Sequence, residues 1–183
     1  MIVIMGSTPM LTEVMEEKME RIAEVLLATV IPFQFMTGKI LGNTCVSHTI
    51  AAIYVIGGVV TTQQLGAGNK IPYDLIPWFF TYLILYLIMG NSIMAALRSA
   101  CNDNKDAQNV TFPANLPMII PLLVVWPVTQ NPMSSLAVWL SLFPPFTPLL
   151  MIVSMATPVT IPVWQSYAGL IGAALFAAFS VWI

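Results

Sequence analysis

"YDLIPWFFTYLILYLIMGNSIMAAL", Tyr73 to Leu97, carries a carboxylate at its second position and then no charged residue until Arg98. About 20 mostly apolar residues, rising about 1.5 Å each, are enough for a helix to cross roughly 30 Å of hydrocarbon. Trp78, Phe79, Phe80 and Tyr82 crowd toward the start, as anchoring at a membrane interface favours. Residues 73–97 therefore read as a span.

Similar runs lie on both sides. Residues 38–60 form an apolar stretch with Lys39 at its entrance, closed by the polar "TTQQLGAGNKIP". Residues 113–130 form another, carrying Pro113, Pro117, Pro121 and Pro127, so this helix is expected to be bent or broken. Between it and the preceding span, "RSACNDNKDAQNVTF" reads as a polar loop. Residues 163–183 make a further span, and residues 1–10, too short to cross, read as the end of a truncated one. In "NPMSSLAVWLSLFPPFTP" a helix is expected over 131–145, with Asn131 as its cap and Pro132 at its first position, stopping at Pro144 and Pro145. About a dozen residues suit a re-entrant or interfacial helix better than a span.

Composition agrees. The 183 residues are 58% hydrophobic and 8% charged, with mean hydropathy +0.86, against about 45–50% apolar usage in soluble domains. The expected fold is all-α: a polytopic transmembrane bundle in a lipid bilayer. A net charge of -2 without a basic cluster excludes nucleic acid as a partner. Cys45 and Cys101 read as free packing residues.

The charge is unevenly spread. Of six Lys or Arg and eight Asp or Glu, the seven residues Glu13, Glu16, Glu17, Lys18, Glu20, Arg21 and Glu24 fall within 13–24. At 100° per residue, Leu11, Met15, Met19, Ile22 and Leu26 share one narrow sector and Glu13, Glu17, Glu20 and Glu24 the opposite one. Residues 11–37 are thus an amphipathic segment lying along the membrane. With this segment in the cytoplasm, Lys18, Arg21, Lys39, Arg98 and Lys105 lie inside and Lys70 outside, which sets the orientation. Its acidic face is either a solvated surface or a docking surface for a basic partner, where complementary charge would guide encounter.

"LTEVMEEKMERIAEVLLATVIPFQFMTGKILG", together with the later "DNKDAQNVTFPANLPMIIPLLVVWPVTQNPMSSLAVWLSLFPPFTPLLM", resembles the membrane-spanning permease of ABC-2 type exporters, in the branch that includes sodium and antibiotic export permeases. Glu16, Glu17, Lys18, Arg21, Glu24, Pro32, Gly38 and Lys39 match the family pattern residue by residue. The resemblance implies that 11–37 is a cytoplasmic coupling segment, that Glu16, Glu17, Lys18, Arg21 and Glu24 dock a separate ATPase subunit, and that Pro32, Gly38 and Lys39 shape its exit. It also implies a short extracytoplasmic re-entrant helix, a second permease copy or paralogue, the bacterial cytoplasmic membrane as location, and a longer protein of which this chain is a piece.

No cofactor is expected on this chain, which is not read as an enzyme. A phosphate-binding loop needs Gly-x-x-x-x-Gly-Lys followed by Ser or Thr, and "GAGNKIP" has the wrong spacing, so ATP and Mg would belong to the partner. No metal-ligand spacing is present. His48, Asn43 and Asn91 are the candidates for a transport pathway, since polar groups at membrane depth are costly. His48 equally reads as a hydrogen-bonded packing residue, and Asn91 with Ser92 as a bridge between helices. The alternatives to a permease are a non-transporting membrane scaffold subunit and a membrane-embedded enzyme pairing His48 with a nearby Ser or Thr.

Overall fold

The computed structural model describes residues 32–66, 68, 71–101, 104–157 and 161–182. These form six helices: α1 Pro32–Gln64, α2 Leu75–Ser99, α3 Asn104–Gln130, α4 Ser135–Leu142, α5 Thr147–Met155 and α6 Val163–Trp182. The described residues are all-helical. Four of the helices, α1, α2, α3 and α6, are long and apolar enough to cross a membrane.

α2 is the central helix. It is apolar on all sides, the pattern of a helix buried all round, and it packs against α1, α3, α5 and α6. Over its most apolar window 56% of residues are buried, against 17% for α1 and for α3. Tyr82, Leu87, Met89 and Met94 are all but inaccessible. The start of α1 (Phe33, Met36, Ile40) lies beside the ends of α2 (Ser92, Ala95, Ala96) and α6 (Ser180, Trp182). At the far end Val55, Val59 and Thr62 meet Leu75 and Phe79. α1 and α2 are therefore antiparallel, and α6 runs parallel to α2. α3 is antiparallel to α2, since Met94 packs on Ala114 near its start and Leu83 and Leu87 on Met118 further along.

α1 begins at Pro32, six residues before the apolar stretch expected at 38. Pro suits the first helical position, where its missing N–H costs nothing. At 33 residues the helix is roughly 50 Å long, well beyond about 30 Å of hydrocarbon. Hydropathy reports the length facing lipid, whereas the backbone goes on pairing past it, so Lys39 lies inside the helix. Just past the end of α1 the Gly66 N–H donates to Gln63 O at 3.0 Å, and its φ of 71° turns the chain out of the helix. That left-handed geometry suits glycine at a helix C-terminus.

α3 departs from expectation twice. It starts at Asn104, so most of the expected polar loop is helix, and it runs unbroken through all four prolines. Each proline removes the usual donor for the carbonyl four residues earlier, which affects Asn109, Pro113, Pro117 and Leu123. Burial of Ala114, Met118, Pro121 and Val128 along one stripe holds the helix together against α2 and the short helices.

The cap expected at Asn131 lies instead at Ser134, whose hydroxyl accepts from Ala137 N at 3.2 Å. Asn131 and Pro132 form a turn in which Asn131 O accepts from Ser134 N at 3.1 Å. The stop at Pro144 and Pro145 holds. A second short helix, α5, then follows with Pro148 in its first turn. Short apolar runs of this kind carry no decisive periodicity. Val128, Ala137 and Leu150 bind α3, α4 and α5 into one cluster.

α6 approaches α5 closely at Gly169. A Cβ placed there would lie 2.8 Å from Thr147 Cγ2 and 2.9 Å from Met151 Cε. The methionine can yield, but Thr147 is tied by its hydroxyl to Phe143 O at 2.9 Å. Small residues at such crossings let membrane helices pack. Gly169→Ala is expected to cost about 1–3 kcal/mol by overpacking, read as a lowered thermal midpoint in detergent. Gly57→Ala, where a Cβ meets nothing within 4 Å, should be neutral or stabilise by up to about 1 kcal/mol.

Candidate functional site

The polar groups buried between the spans gather in two places. The first joins α1 to α2. Ile40, Thr44, Ser47 and Ala51 are the buried stripe of α1, recurring every three or four residues as one helix face does. Opposite them Asn91, with no accessible surface, projects from α2. Its Oδ1 accepts from Asn43 Nδ2 at 3.0 Å and its Nδ2 donates to Thr44 Oγ1 at 3.2 Å. The Thr44 hydroxyl in turn donates to Ile40 O at 2.7 Å. Asn43 and Asn91, singled out separately in the sequence, are thus hydrogen-bonded to each other. Ser92 is also buried, but its hydroxyl turns back to Ile88 O at 2.7 Å within its own helix. Asn91 therefore bridges the helices and Ser92 does not.

His48 stands apart from this pair. It is half-buried, with its ring centroid 4.8 Å from that of Phe80, and its Nδ1 is buried without a hydrogen-bond partner. The contact is one of packing. Two of the nearby hydroxyls are engaged by helix carbonyls: Thr44 by Ile40 O and Thr49 by Cys45 O. This arrangement does not favour a catalytic pair, which needs the nucleophile bonded to its base. Among the described residues no group of three or more His, Cys, Asp or Glu could hold a metal ion.

The second place lies at the far end, where α6 meets α4 and α2. Gln165 is 1% exposed and donates from Nε2 to Ser141 Oγ at 2.8 Å, while the Ser141 hydroxyl donates to Val138 O at 2.9 Å. Gln165 Oε1 has no partner. At the next residue Tyr82 Oη donates to Ser166 O at 2.7 Å, tying α2 to the start of α6. Sequence reading passed over Gln165 and Ser141. The available signal was a glutamine in the first turn of an otherwise apolar span, where a polar side chain must find a partner inside the protein.

Of the remaining candidates, Pro32 opens α1 and Gly38 is exposed with nothing near its Cβ position. Lys39 is half-buried, its ammonium 5.8 Å from the Phe35 ring centroid, within reach of a cation–π attraction. Glu16, Glu17, Lys18, Arg21 and Glu24 lie outside the described residues. Cys45 is exposed and Cys101 buried, and neither is in a disulfide.

Four charge-poor helices long enough to cross a membrane, tied together by buried amides, define a polytopic helical membrane bundle. The model of the ABC-2 family transporter proteins matches residues 1–183, so the chain belongs to that family. It is 25% identical over 181 residues to the uncharacterized protein YhaP of Bacillus subtilis, covering 92% of this chain and 43% of the relative. To the uncharacterized protein MJ1024 of Methanocaldococcus jannaschii it is 28% identical over 153 residues, covering 82% and 37%. The chain thus spans less than half the length of these relatives. No solved structure matches it.

The Gln165–Ser141 contact can be tested by a double-mutant cycle. Ser141→Ala leaves both ends of a buried amide unpaired, at about 1–3 kcal/mol. Adding Gln165→Met removes the stranded groups at similar volume, so the double variant should melt above Ser141→Ala alone in detergent.

Proposed function

We propose that this chain is the membrane-embedded part of an ATP-driven exporter, working with a separate nucleotide-binding subunit and a second permease copy or paralogue in the cell membrane. The observation that carries the reading is the family match over the whole chain combined with the segregation of charge. Half of the charged residues lie within 13–24, while the four candidate spans are nearly charge-free. Acidic side chains on a membrane-facing amphipathic segment gain nothing from an anionic leaflet. They do suit a basic protein surface, which supports Glu16, Glu17 and Glu24 as docking residues, with Lys18 and Arg21 joining them by family resemblance.

In this mechanism ATP and Mg stay on the partner. The partner grips residues 11–27 differently in its ATP-bound and ATP-free states. That difference in binding free energy biases the permease between conformations, because a ligand shifts an equilibrium only by its differential affinity. Residue 31 is followed directly by α1, so the docking segment has a long rigid helix to act on. Substrate would leave by a path between permease copies, with the proline-bearing α3 as a wall.

The decisive experiment uses the full-length permease expressed with its ATPase. Glu17→Lys together with Glu24→Lys should reduce ATPase co-purification and transport at least ten-fold, with permease levels unchanged. Wild-type association and transport in that variant would overturn the docking role.

A further inference from the structure

We infer that Asn91 is a positioning residue that makes α1 and α2 move as one body, so that a displacement entering at the start of α1 reaches the rest of the bundle through this amide. The inference rests on the exporter reading for its consequence in transport, but its structural half stands on the contacts alone.

Among the described helices α1 packs substantially on α2 only. Whatever moves α1 therefore reaches α3, α5 and α6 mainly by way of α2. Most of that interface is small and apolar, with Ile40 against Ala95 and Ala51 against Leu83 and Leu87. Such contacts have no direction and allow sliding or rotation. The Asn91 amide does not, because both of its ends are held by neighbouring residues of α1, its oxygen by Asn43 and its nitrogen by Thr44. Two bonds from one planar group to adjacent positions, about 100° apart around the helix, fix both height and rotation.

Breaking the pair strands an amide with no accessible surface, and neither the core nor lipid supplies a replacement partner. Sliding is thus penalised and joint motion is not. At its other end α2 is tied to α6 by Tyr82 and Ser166 O at 2.7 Å, so the same helix that receives the movement passes it on.

The test uses the full-length permease with its ATPase in vesicles. Asn91→Leu and Thr44→Val are expected to keep ATPase association and ATP hydrolysis within two-fold while transport per ATP falls about ten-fold. Thr44→Ser, which retains the hydroxyl, should stay near wild type. A second arm needs no ATPase: with Cys45→Ser and Cys101→Ala in place, a disulfide between Ile40→Cys and Ala95→Cys should form several-fold more slowly once Asn91→Leu is added. Unchanged transport per ATP with an unchanged crosslinking rate overturns the inference. A parallel loss of folded protein and ATPase association, with transport per ATP preserved, also overturns it in favour of a purely structural role. If wild type recruits no ATPase, the exporter reading falls, while the crosslink still decides whether Asn91 fixes the register.

Discussion

Inside hydrocarbon a polar group has no partner except one the protein supplies, and this constraint organises the bundle. It selects helices, whose backbone pairs within itself. It also decides what the few buried polar side chains do. Asn91 reaches across to Asn43 and Thr44, Tyr82 to the Ser166 carbonyl and Gln165 to Ser141. Interhelical contacts of this type average only about 0.6 kcal/mol in membranes. Their value here is direction, since apolar packing alone leaves two helices free to turn against each other.

α2 collects these ties. It meets α1 through Asn91 near its end and α6 through Tyr82 near its start, with Leu83, Tyr86 and Leu87 packed on Met118 of α3 between them. α1 and α3 by contrast leave most of their apolar surface uncovered. The bundle is therefore asymmetric, with one helix more than half buried and two at the periphery. That asymmetry leaves the apolar faces of α1 and α3 outside the bundle's own packing.

The spans were legible because the signal is simple: long charge-free runs bounded by Asp74, Arg98, Lys39 and polar loops. Their lengths were not, since hydropathy falls off before helical hydrogen bonding does, as Pro32 and Asn104 show. The prolines of α3 suggested a break because intrinsic propensity weighs against them, yet packing of Ala114, Met118 and Val128 overrode it. Asn43 and Asn91 were legible as polar residues in apolar runs. That they meet was not, because 48 positions separate them. Gln165 escaped notice altogether, its partner being set by the packing of α4 against α6.

By itself the sequence determined that this chain is a helical membrane protein, where its main spans lie and which family it resembles, since these depend on composition and local order along the chain. The tertiary structure decided that α2 is the central helix, that α5 exists as a second short helix, and which polar groups are partners. Those outcomes depend on which surfaces face each other once the helices pack, and helix periodicity alone carries no information about that.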